Sequence, residues 1–352
     1  MKHRLLLGID ASRSTRACPT GVERYSSEIL QALLPELKDF EVRLYTPRVI
    51  EGFPRAIQKV LWFPRLWSLV RLSWEMLWHK PDLLFVPAHV LPFFAPKRSF
   101  VTIHDVAFRK IPGAYDWRAR WYLNWSTRRA VRKCETIFVP TKAVAEDLKR
   151  FYGANHVKVV PHGPLSMDLT TPVSCVPFET DPYFFYVGRI EEKKNLGLIL
   201  DAWKIVQQKY PKVYCVLAGA PGNAYEGLKA RIEEENLHVN LRGYISEAEM
   251  VLYFRQATGF LFPSLEEGFG FPVLSAFEAN CPVICSDIPA LREVAGDAAL
   301  FVGLHDAEGL AREVMQLLEK PTLRERLAKA GRDRLKAFSW GKAARRMCAI
   351  FS

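Results

Sequence analysis

The sequence predicts an α/β fold of two domains, each a doubly wound parallel sheet covered by helices. Three observations support this. Short apolar runs alternate with segments of helical periodicity along the whole chain. The length of 352 residues exceeds what one hydrophobic core usually organises. A stretch at residues 164–182, rich in Pro, Thr and Ser and without periodicity, has the composition of a linker between two halves.

The predicted strands are short and almost wholly apolar, which is typical of parallel strands buried on both faces. In the first half they lie at residues 5–9, 42–45, 83–86, 100–103, 137–139 and 157–160. In the second half they lie at residues 183–187, 214–218, 259–262 and 283–285. A ligand of such domains binds near the carboxyl ends of the strands, so the residues that follow each strand are the candidates for function.

The segment after the strand at 259–262 carries the strongest functional signal. Glu267 is followed at once by Gly268 and Gly270, which let the backbone turn tightly. Pro272 suits the first residue of a helix, where its missing N–H costs nothing. A carboxylate would then lie beside a helix N-terminus, whose N–H groups and partial positive charge can hold a phosphate.

Two cations follow the first strand of the second half. The strand ends at Gly188, and Arg189 and Lys194 come soon after it. Positive side chains that converge outside a strand end suit a diphosphate leaving group, which accumulates negative charge as it departs. Taken alone, the segment could equally be a solvated charged turn. Together with the glutamate and glycine segment, it favours a phosphate site.

These motifs resemble those of the GT-B retaining glycosyltransferases of family 4, the glycosyl transferases group 1. The resemblance runs from Gly21, in a Gly-Val-Glu-Arg loop, to the Phe-Ser-Trp element that ends at Trp340. It implies two Rossmann-like domains that face a central cleft. The acceptor-binding domain would comprise residues 1–170, and the nucleotide-sugar-binding domain residues 171–337. A final helix at about 338–352 would cross back to the first domain.

The resemblance also assigns the site residues. Arg189, Lys194 and the helix tip near Phe271 would hold the diphosphate, and Glu267 would lie near the donor sugar. His104, in a Thr-Ile-His-Asp element, would hydrogen-bond the sugar or the reacting oxygens; a packed or surface histidine is the alternative. The implied catalytic residues are His104, Arg189, Lys194 and Glu267. The implied donor-binding residues are Gly21, Gly188, Arg189, Lys194, Tyr244, Glu267, Gly268, Phe269, Gly270, Phe271 and Ser275.

One position departs from the family pattern. The family has a second glutamate eight residues after the first, which holds the ribose of the nucleotide; this chain has Ser275 there. A serine hydroxyl can bond one ribose hydroxyl through a shorter arm. Glu278 lies on roughly the same helical face and is a candidate to replace the missing carboxylate, or a plain surface residue.

The implied reaction is the retaining transfer of a hexose, of mannose or glucose type, from a GDP- or UDP-linked sugar. The acceptor would be a hydroxyl of a cell-envelope glycan or of a lipid-linked molecule. No metal or other cofactor is expected, and the chain has no Asp-x-Asp pair of the kind that holds a cation on the diphosphate. The enzymatic alternative is a nucleotide-sugar epimerase or a phosphorylase of similar architecture. An epimerase would need catalytic carboxylates in the cleft, and a phosphorylase would need a cofactor-lysine motif, which this sequence does not show. The non-enzymatic alternative is a catalytically impaired GT-B binding protein of envelope polysaccharide assembly, which Ser275 makes conceivable.

The positive charge of the chain is confined to its first half. Residues 1–175 hold 27 Lys+Arg and 15 Asp+Glu, a net charge of +12, while residues 176–352 hold 22 and 23, a net charge of −1. This imbalance indicates an anionic partner for the first domain, either the inner membrane surface or a phosphate-bearing acceptor. No nucleic-acid-binding motif accompanies the charge, so nucleic acid is not expected.

Localisation is predicted from cysteine usage and hydropathy. The seven cysteines are scattered without metal-type pairing, which favours reduced thiols in a cytoplasmic protein. The apolar run at 5–9 ends at Asp10, too early for a signal peptide, and no uncharged apolar run reaches about 18 residues. We therefore expect a cytoplasmic protein, peripheral at the inner face of the plasma membrane.

Tryptophan is concentrated in the first half. Seven of the nine tryptophans lie at positions 62, 67, 74, 78, 117, 121 and 125. One broad apolar helical face is formed by Leu66, Trp67, Val70, Trp74, Leu77 and Trp78, and the opposite face by Arg65, Ser68, Arg71 and Glu75. Such an apolar face packs more often into a core than on a membrane, and we expect a core. Trp with Arg or Lys is also typical of a helix among lipid headgroups, so contact with the inner leaflet is the competing hypothesis.

Overall fold

The structure, a computed structural model, describes residues 4–15, 21–63, 67–165, 167 and 182–352. It divides into two compact units, one formed by residues 1–163 and 338–352 and the other by residues 164–337. The predicted domain boundary after residue 170 falls within the segment 168–181, which lies outside the described residues. Almost all of the predicted linker at 164–182 lies outside them too.

The first unit contains a seven-stranded parallel sheet. Its strands are β1 (Leu5–Asp10), β2 (Phe40–Thr46), β3 (Gln58–Val60), β4 (Leu83–Val86), β5 (Arg98–Thr102), β6 (Thr136–Val139) and β7 (Val157–Val159), in the order β3-β2-β1-β4-β5-β6-β7. Its helices include α1 (Gly21–Leu33), α2 (Arg71–Trp78), α3 (Ala107–Lys110), α4 (Trp117–Lys133) and α5 (Lys142–Tyr152). The direction of winding reverses between β1 and β4, so the switch point of this sheet lies there.

The second unit contains a six-stranded parallel sheet. Its strands are β8 (Tyr183–Val187), β9 (Tyr214–Ala218), β10 (Val239–Gly243), β11 (Gly259–Phe262), β12 (Val283–Ser286) and β13 (Ala299–Val302), in the order β10-β9-β8-β11-β12-β13. Its helices are α6 (Leu196–Lys209), α7 (Tyr225–Glu234), α8 (Glu247–Gln256), α9 (Phe271–Glu278), α10 (Pro289–Ala295), α11 (Ala307–Glu319) and α12 (Pro321–Leu335). Its switch point lies between β8 and β11. The predicted class, two doubly wound parallel-sheet domains, is confirmed.

The last helix, α13 (Trp340–Phe351), belongs to the first unit. The ring of Phe351 lies 4.9 Å from that of Phe100 and 5.8 Å from that of Phe85, both on central strands of the sheet. The guanidinium of Arg98 donates to the carbonyl of Phe351 at 2.6 Å. These contacts fix the end of the chain against the sheet of the first unit.

The predicted core face of the helix before residue 78 is confirmed at Trp67, which is buried and donates its Nε1–H to the carbonyl of Leu61 at 2.8 Å, but it is wrong for the residues that follow. In the described residues the helix begins at Arg71, and Trp74, Leu77 and Trp78 of the predicted core face are exposed. The buried residues of α2 are Leu72, Ser73, Glu75 and Met76. Arg65 and Leu66 lie outside the described residues.

Polar contacts explain why the helix buries Ser73 and Glu75 beside the apolar Leu72 and Met76. The carboxylate of Glu75 is bonded by the ammonium of Lys59 on β3 and lies 3.5 Å from the guanidinium of Arg71. The hydroxyl of Ser73 accepts a bond from the backbone N–H of Phe93 at 2.8 Å. Partners from distant parts of the chain satisfy these buried polar groups, so the tryptophans are left on the outer side.

Among the described helices, none combines the length and the apolar character needed to cross a bilayer. The five cysteines in the described ranges form no disulfide, and four of them are buried. Burial raises the pKa of the Cys134 thiol to about 12. Cys18 and Cys175 lie outside the described residues.

Candidate active site

The loops after β8 and β11 carry the residues that sequence reasoning assigned to the donor. These strands are neighbours at the switch point of the second sheet. The loop after β8 contains Arg189 and Lys194, and the loop after β11 contains Glu267 and Gly270. The backbone N–H of Leu265 donates to the carbonyl of Lys193 at 2.9 Å, which ties the two loops together. Charged side chains therefore meet where a doubly wound sheet binds its ligand.

Lys194 and Glu267 are in direct contact. The ammonium Nζ lies 2.5 Å from the carboxylate Oε1, and each side chain is only 14% exposed. The ammonium also lies 5.2 Å from the centre of the Phe262 ring. A pair this poorly solvated attracts more strongly than a surface pair, because little water screens it. The structure thus places a cation and a carboxylate side by side at this edge of the sheet.

Arg189 makes different contacts at the same edge. Its side chain is 63% exposed, with Nη1 3.3 Å from the carboxylate of Glu191. The carbonyl of Arg189 accepts a bond from the hydroxyl of buried Tyr186 at 3.3 Å. The hydroxyl of Tyr186 therefore fixes the backbone of the Gly188–Arg189 turn. The guanidinium of Arg189 is exposed and accessible to a ligand.

Gly188 and Gly219 continue the backbone hydrogen bonding between neighbouring strands just past the ends of β8 and β9. The backbone N–H of Gly188 donates to the carbonyl of Ala218 at 3.0 Å, and that of Gly219 donates to the carbonyl of Gly243 at 2.7 Å. Gly219 has a φ of +149°, and a Cβ built on it would lie 1.9 Å from the carbonyl oxygen of Gly188. Only glycine fits where the ends of β8 and β9 come this close.

Gly270 begins the helix that points at this edge. It is the N-cap of α9, with a φ of +91°, and a Cβ on it would lie 2.7 Å from the side chain of Leu291. Pro272 occupies the first turn, as predicted for a helix start. The N-terminal amides and dipole of α9 favour an anion beside Glu267. Gly268 and Phe269 are buried in the turn, and the ring of Phe269 lies 5.3 Å from that of Phe271.

The residues predicted to contact the nucleotide lie on α9 and after β10. Ser275 is buried in the middle of α9, and Glu278 is its last residue, at the end remote from Gly270. Burial raises the pKa of the Glu278 carboxyl. Tyr244 follows β10 and is strongly exposed, and Ser246 caps α8 by accepting a bond from the backbone N–H of Glu249. Glu278 is the one carboxylate of α9, and it does not lie at the position of the family's second glutamate, which Ser275 occupies.

His104 follows β5 in the first unit. Its Nε2 lies 3.3 Å from the carbonyl of Pro87, and its ring lies 4.6 Å from that of Tyr25. Desolvation by burial lowers the pKa of His104 to about 4, so the imidazole is neutral at pH 7. The carboxylate of Asp105 accepts a bond from the backbone N–H of Ala107 at 3.0 Å.

An aromatic cluster around His104 was missed from the sequence. The ring of Tyr25 on α1 lies 4.3 Å from that of His162, which stacks on Trp340 of α13 at 5.8 Å. The hydroxyls of Tyr25 and Thr102 are 2.9 Å apart. These residues lie far apart in the chain, and no local pattern brings them together. Gly21, predicted at the donor, is the first residue of α1.

Asp10 was also missed, although it ends β1 beside the switch point of the first sheet. It is buried and accepts bonds from the backbone N–H of Ser12 at 2.9 Å and from the hydroxyl of Ser68 at 3.0 Å. Desolvation raises the pKa of its carboxyl, against the lowering effect of these bonds. Its position directly after a central strand was the available signal.

Two half-buried histidines, His89 and His104, predict that the first unit is sensitive to acid. Burial lowers the pKa of His104 and of His89 to about 4, below the value of about 6.5 in an unfolded chain. The unfolded state therefore binds protons first, and we expect the free energy of unfolding to fall from pH 6.5 towards pH 4. His104→Gln should flatten this fall in urea titrations at several pH values. His305→Gln, at an exposed position of the second unit, should leave it unchanged; an equal slope in parent and H104Q would contradict the assignment.

Comparison with known proteins assigns each half to a family. Residues 173–334 match the family model described as glycosyl transferases group 1, and residues 19–163 match the model described as glycosyltransferase family 4. The O-antigen chain mannosyltransferase B of Escherichia coli is 23% identical over 355 residues, which cover 91% of this chain and 93% of that protein.

Solved structures show the same architecture over nearly the whole chain. The sucrose-phosphate synthase of Thermosynechococcus elongatus superposes with a TM-score of 0.77 at 18% identity, over 99% of this chain and 98% of that one. Anabaena Alr3699/HepE in complex with UDP-glucose superposes with a TM-score of 0.73 at 15% identity, over 99% of both chains. The resemblance inferred from the motifs is confirmed, and the chain belongs to the GT-B glycosyltransferases of group 1 and family 4.

Proposed function

We propose that this glycosyltransferase is a metal-independent, retaining hexosyltransferase. It transfers mannose or glucose from a GDP- or UDP-linked sugar to a hydroxyl of a cell-envelope glycan or a lipid-linked acceptor. The observation that carries the proposal is the contact between Lys194 and Glu267 at the switch point of the second sheet. The names of two relatives support the choice of sugar and acceptor. One is the O-antigen chain mannosyltransferase B of Escherichia coli, and the other is the phosphatidyl-myo-inositol mannosyltransferase of Mycobacterium leprae, 26% identical over 170 residues that cover 47% of this chain and 45% of that protein. The UDP-glucose complex of HepE supports a nucleotide-sugar donor.

In the proposed reaction the donor separates this ion pair. The diphosphate takes the ammonium of Lys194, and the released carboxylate of Glu267 accepts hydrogen bonds from sugar hydroxyls. Arg189 and the N-terminus of α9 add positive potential as charge develops on the departing phosphate. The acceptor hydroxyl attacks from the face that the diphosphate leaves and gives its proton to that phosphate. Neutral His104 donates its single N–H to the carbonyl of Pro87, so its Nδ1 is left to accept a hydrogen bond from a substrate hydroxyl.

Two cations and a helix N-terminus would do the work that a divalent metal does in other glycosyltransferases. Each supplies positive charge at the position of the leaving group. The proposal therefore requires that donor binding and transfer persist when divalent ions are removed.

A thermal-shift screen in EDTA tests the donor and the metal independence together. We expect GDP-mannose or UDP-glucose to raise the Tm of the protein by a few degrees, because a ligand at about 100 times its Kd stabilises the folded state by about 2.7 kcal/mol. ADP-glucose should shift it less. The active donor should then give sugar transfer in the same buffer. A donor that binds only after Mg²⁺ is added would refute the metal-free site.

The burial of Ser275 and the remote position of Glu278 favour a second candidate, a catalytically impaired binding protein of envelope polysaccharide assembly. Such a protein would lack the ribose contact that the family's second glutamate provides. It would show a thermal shift with a nucleotide-sugar but neither transfer nor hydrolysis over long incubation. Transfer at any measurable rate that Arg189→Ala abolishes would exclude this candidate.

We also propose that the protein works at the inner face of the plasma membrane. The excess of basic residues in the first half supports this location, because the acceptor of the proposed reaction is carried by a lipid or an envelope glycan.

A further inference from the structure

Five tryptophans in the described part of the first unit are exposed and take no part in the proposed reaction: Trp62, and four that lie on helices. α2 carries Trp74 and Trp78, and α4 carries Trp117 and Trp121. Their exposed fractions lie between 62% and 67%. Exposed apolar surface of this extent usually marks an interface. We use the name tryptophan surface for Trp74, Trp78, Trp117 and Trp121 together with Arg118 and Arg120.

The two helices lie in one layer on the same face of the sheet. Leu72 and Met76 of α2 share a hydrophobic cluster with Ala130 and Val131 of α4. The inner sides of both helices therefore contribute to one core, and their outer sides face the same way. Tryptophans on the outer sides belong to one side of the unit.

The loop after β4 connects the two tryptophan pairs. The backbone N–H of Phe93 is bonded to Ser73 of α2, and the Phe93 ring lies 6.0 Å from that of Trp125 on α4. The guanidinium of Arg129 lies 5.0 Å from the same ring and donates to the carbonyl of Phe93 at 2.9 Å. Phe93 is itself about half exposed. Since Trp121 lies one helical turn from Trp125, the apolar surface continues from α2 to α4.

The tryptophans are held outside by defined contacts. On α2, buried Glu75 binds Lys59 and lies within 3.5 Å of Arg71, which fixes the rotation of the helix. On α4, residues 117–121 are all exposed, and the buried residues lie in the second half of the helix. The carboxylate of Asp116 caps α4 by accepting a bond from Arg118 N–H at 2.9 Å. A well-formed helix therefore presents this first turn to solvent.

The helix that carries Trp117 and Trp121 is positively charged. α4 contains no acidic residue, and its basic residues are Arg118, Arg120, Arg128, Arg129, Arg132 and Lys133. Tryptophan prefers the boundary between headgroups and acyl chains, and basic residues bind anionic headgroups. A helix that combines both is typical of interfacial binding to a bilayer. Since α4 has no acidic residue, none of its side chains repels the uniform negative charge of an anionic bilayer. We therefore favour a lipid surface over a protein partner.

We propose that the tryptophan surface docks the first unit onto an anionic lipid bilayer. The four indoles lie at the headgroup level, and Arg118 and Arg120 contact lipid phosphates. This inference deepens the proposed function, since it names the surface through which the enzyme meets a membrane-borne acceptor. Docking itself needs neither donor nor transfer, so it can be measured independently of the reaction.

Vesicle binding by the full chain tests the proposal. The parent protein should co-sediment at low salt with phosphatidylcholine vesicles that contain phosphatidylglycerol, and much less with pure phosphatidylcholine. Trp74→Gln with Trp78→Gln, and Trp117→Gln with Trp121→Gln, should each weaken binding about tenfold. Arg118→Gln with Arg120→Gln should weaken it roughly tenfold or more, because each basic residue contributes about 1 kcal/mol, and this loss should shrink at high salt. Val49→Gln, at an exposed apolar position of the same unit, is the matched control and should bind like the parent.

Several outcomes would overturn the docking surface. Parent protein that ignores anionic vesicles at low salt would do so, and so would unchanged binding by all three double variants. If light scattering instead shows a dimer that the tryptophan variants dissociate without a change in vesicle binding, the surface joins two copies of the chain. Failure of the docking surface can be distinguished from failure of the proposed function. Arg189→Ala should lose transfer and keep vesicle binding, whereas the tryptophan variants should lose vesicle binding and keep transfer to a soluble acceptor.

Discussion

Alanine at Arg189 or at Lys194 should lower kcat by roughly two to three orders of magnitude, the usual loss when one preorganised charge-stabilising group is removed. Both residues follow β8 at the switch point of the second sheet. Their charge matters most when the diphosphate departs, so kcat should fall more than the affinity for the donor. Steady-state kinetics with the donor identified by thermal shift would measure the two effects separately.

Folding should survive both substitutions. Arg189 is well exposed and forms one surface ion pair with Glu191, which contributes little to stability. Lys194→Ala leaves the carboxylate of Glu267 without its nearest cation, so a modest fall in Tm is expected, and Glu267→Gln in the same chain should recover part of it. The recovery in Tm should come without recovery of kcat, because the cation is still missing.

Lys193→Ala is the matched control for this prediction. Lys193 lies in the same turn, and its ammonium is 4.0 Å from the carboxylate of Glu191. Its loss should change kcat less than about threefold, as expected for a charge outside the leaving-group site. Near-normal turnover in Arg189→Ala, or an equal loss in Lys193→Ala, would remove the assignment of the leaving-group site.

The central strands and the donor motifs could be predicted because their signals are local. All ten predicted strands are present, whereas β3, β10 and β13 were missed. These three are edge strands, and β3 (Gln-Lys-Val) and β10 (Val-Asn-Leu-Arg-Gly) contain polar residues because one side of an edge strand has no neighbour to exclude water. Polarity explains the two strands that contain polar residues, but not β13, whose residues Ala-Leu-Phe-Val are apolar.

The errors come from interactions between distant residues. The outer face of α2 was predicted to be core because its tryptophans are large and apolar. In the structure Glu75 is buried instead, where it pairs with Lys59 on β3. The packing of Tyr25 and His162 with Trp340 joins three remote segments. The contact of Lys194 with Glu267 is the same kind of long-range pairing, and the family resemblance placed both at one site without indicating that they touch.

The second large effect is expected from Gly219→Ala. A Cβ at this position would lie 1.9 Å from the carbonyl oxygen of Gly188, and the φ of +149° is one that side chains rarely adopt. Relief would require the end of β8 to move away from β9. We expect a loss of roughly 3 kcal/mol or more from strain and overpacking together, equivalent to a fall of about 10 °C in Tm for a unit of this size.

The same displacement should damage donor binding. Gly188 and Arg189 form the turn that Gly219 supports, so a shift of the Gly188 carbonyl moves Arg189 away from the leaving group. Any G219A protein that folds at low temperature should therefore show a weaker thermal shift with the donor than the parent. Gly227→Ala is the matched control: a Cβ there meets nothing within 4 Å, and α7 should gain up to about 1 kcal/mol from the better helix former. A Tm of G219A within 2 °C of the parent, by the ~3 °C per kcal/mol scale, would mean that the two strand ends do not approach as closely as the site requires.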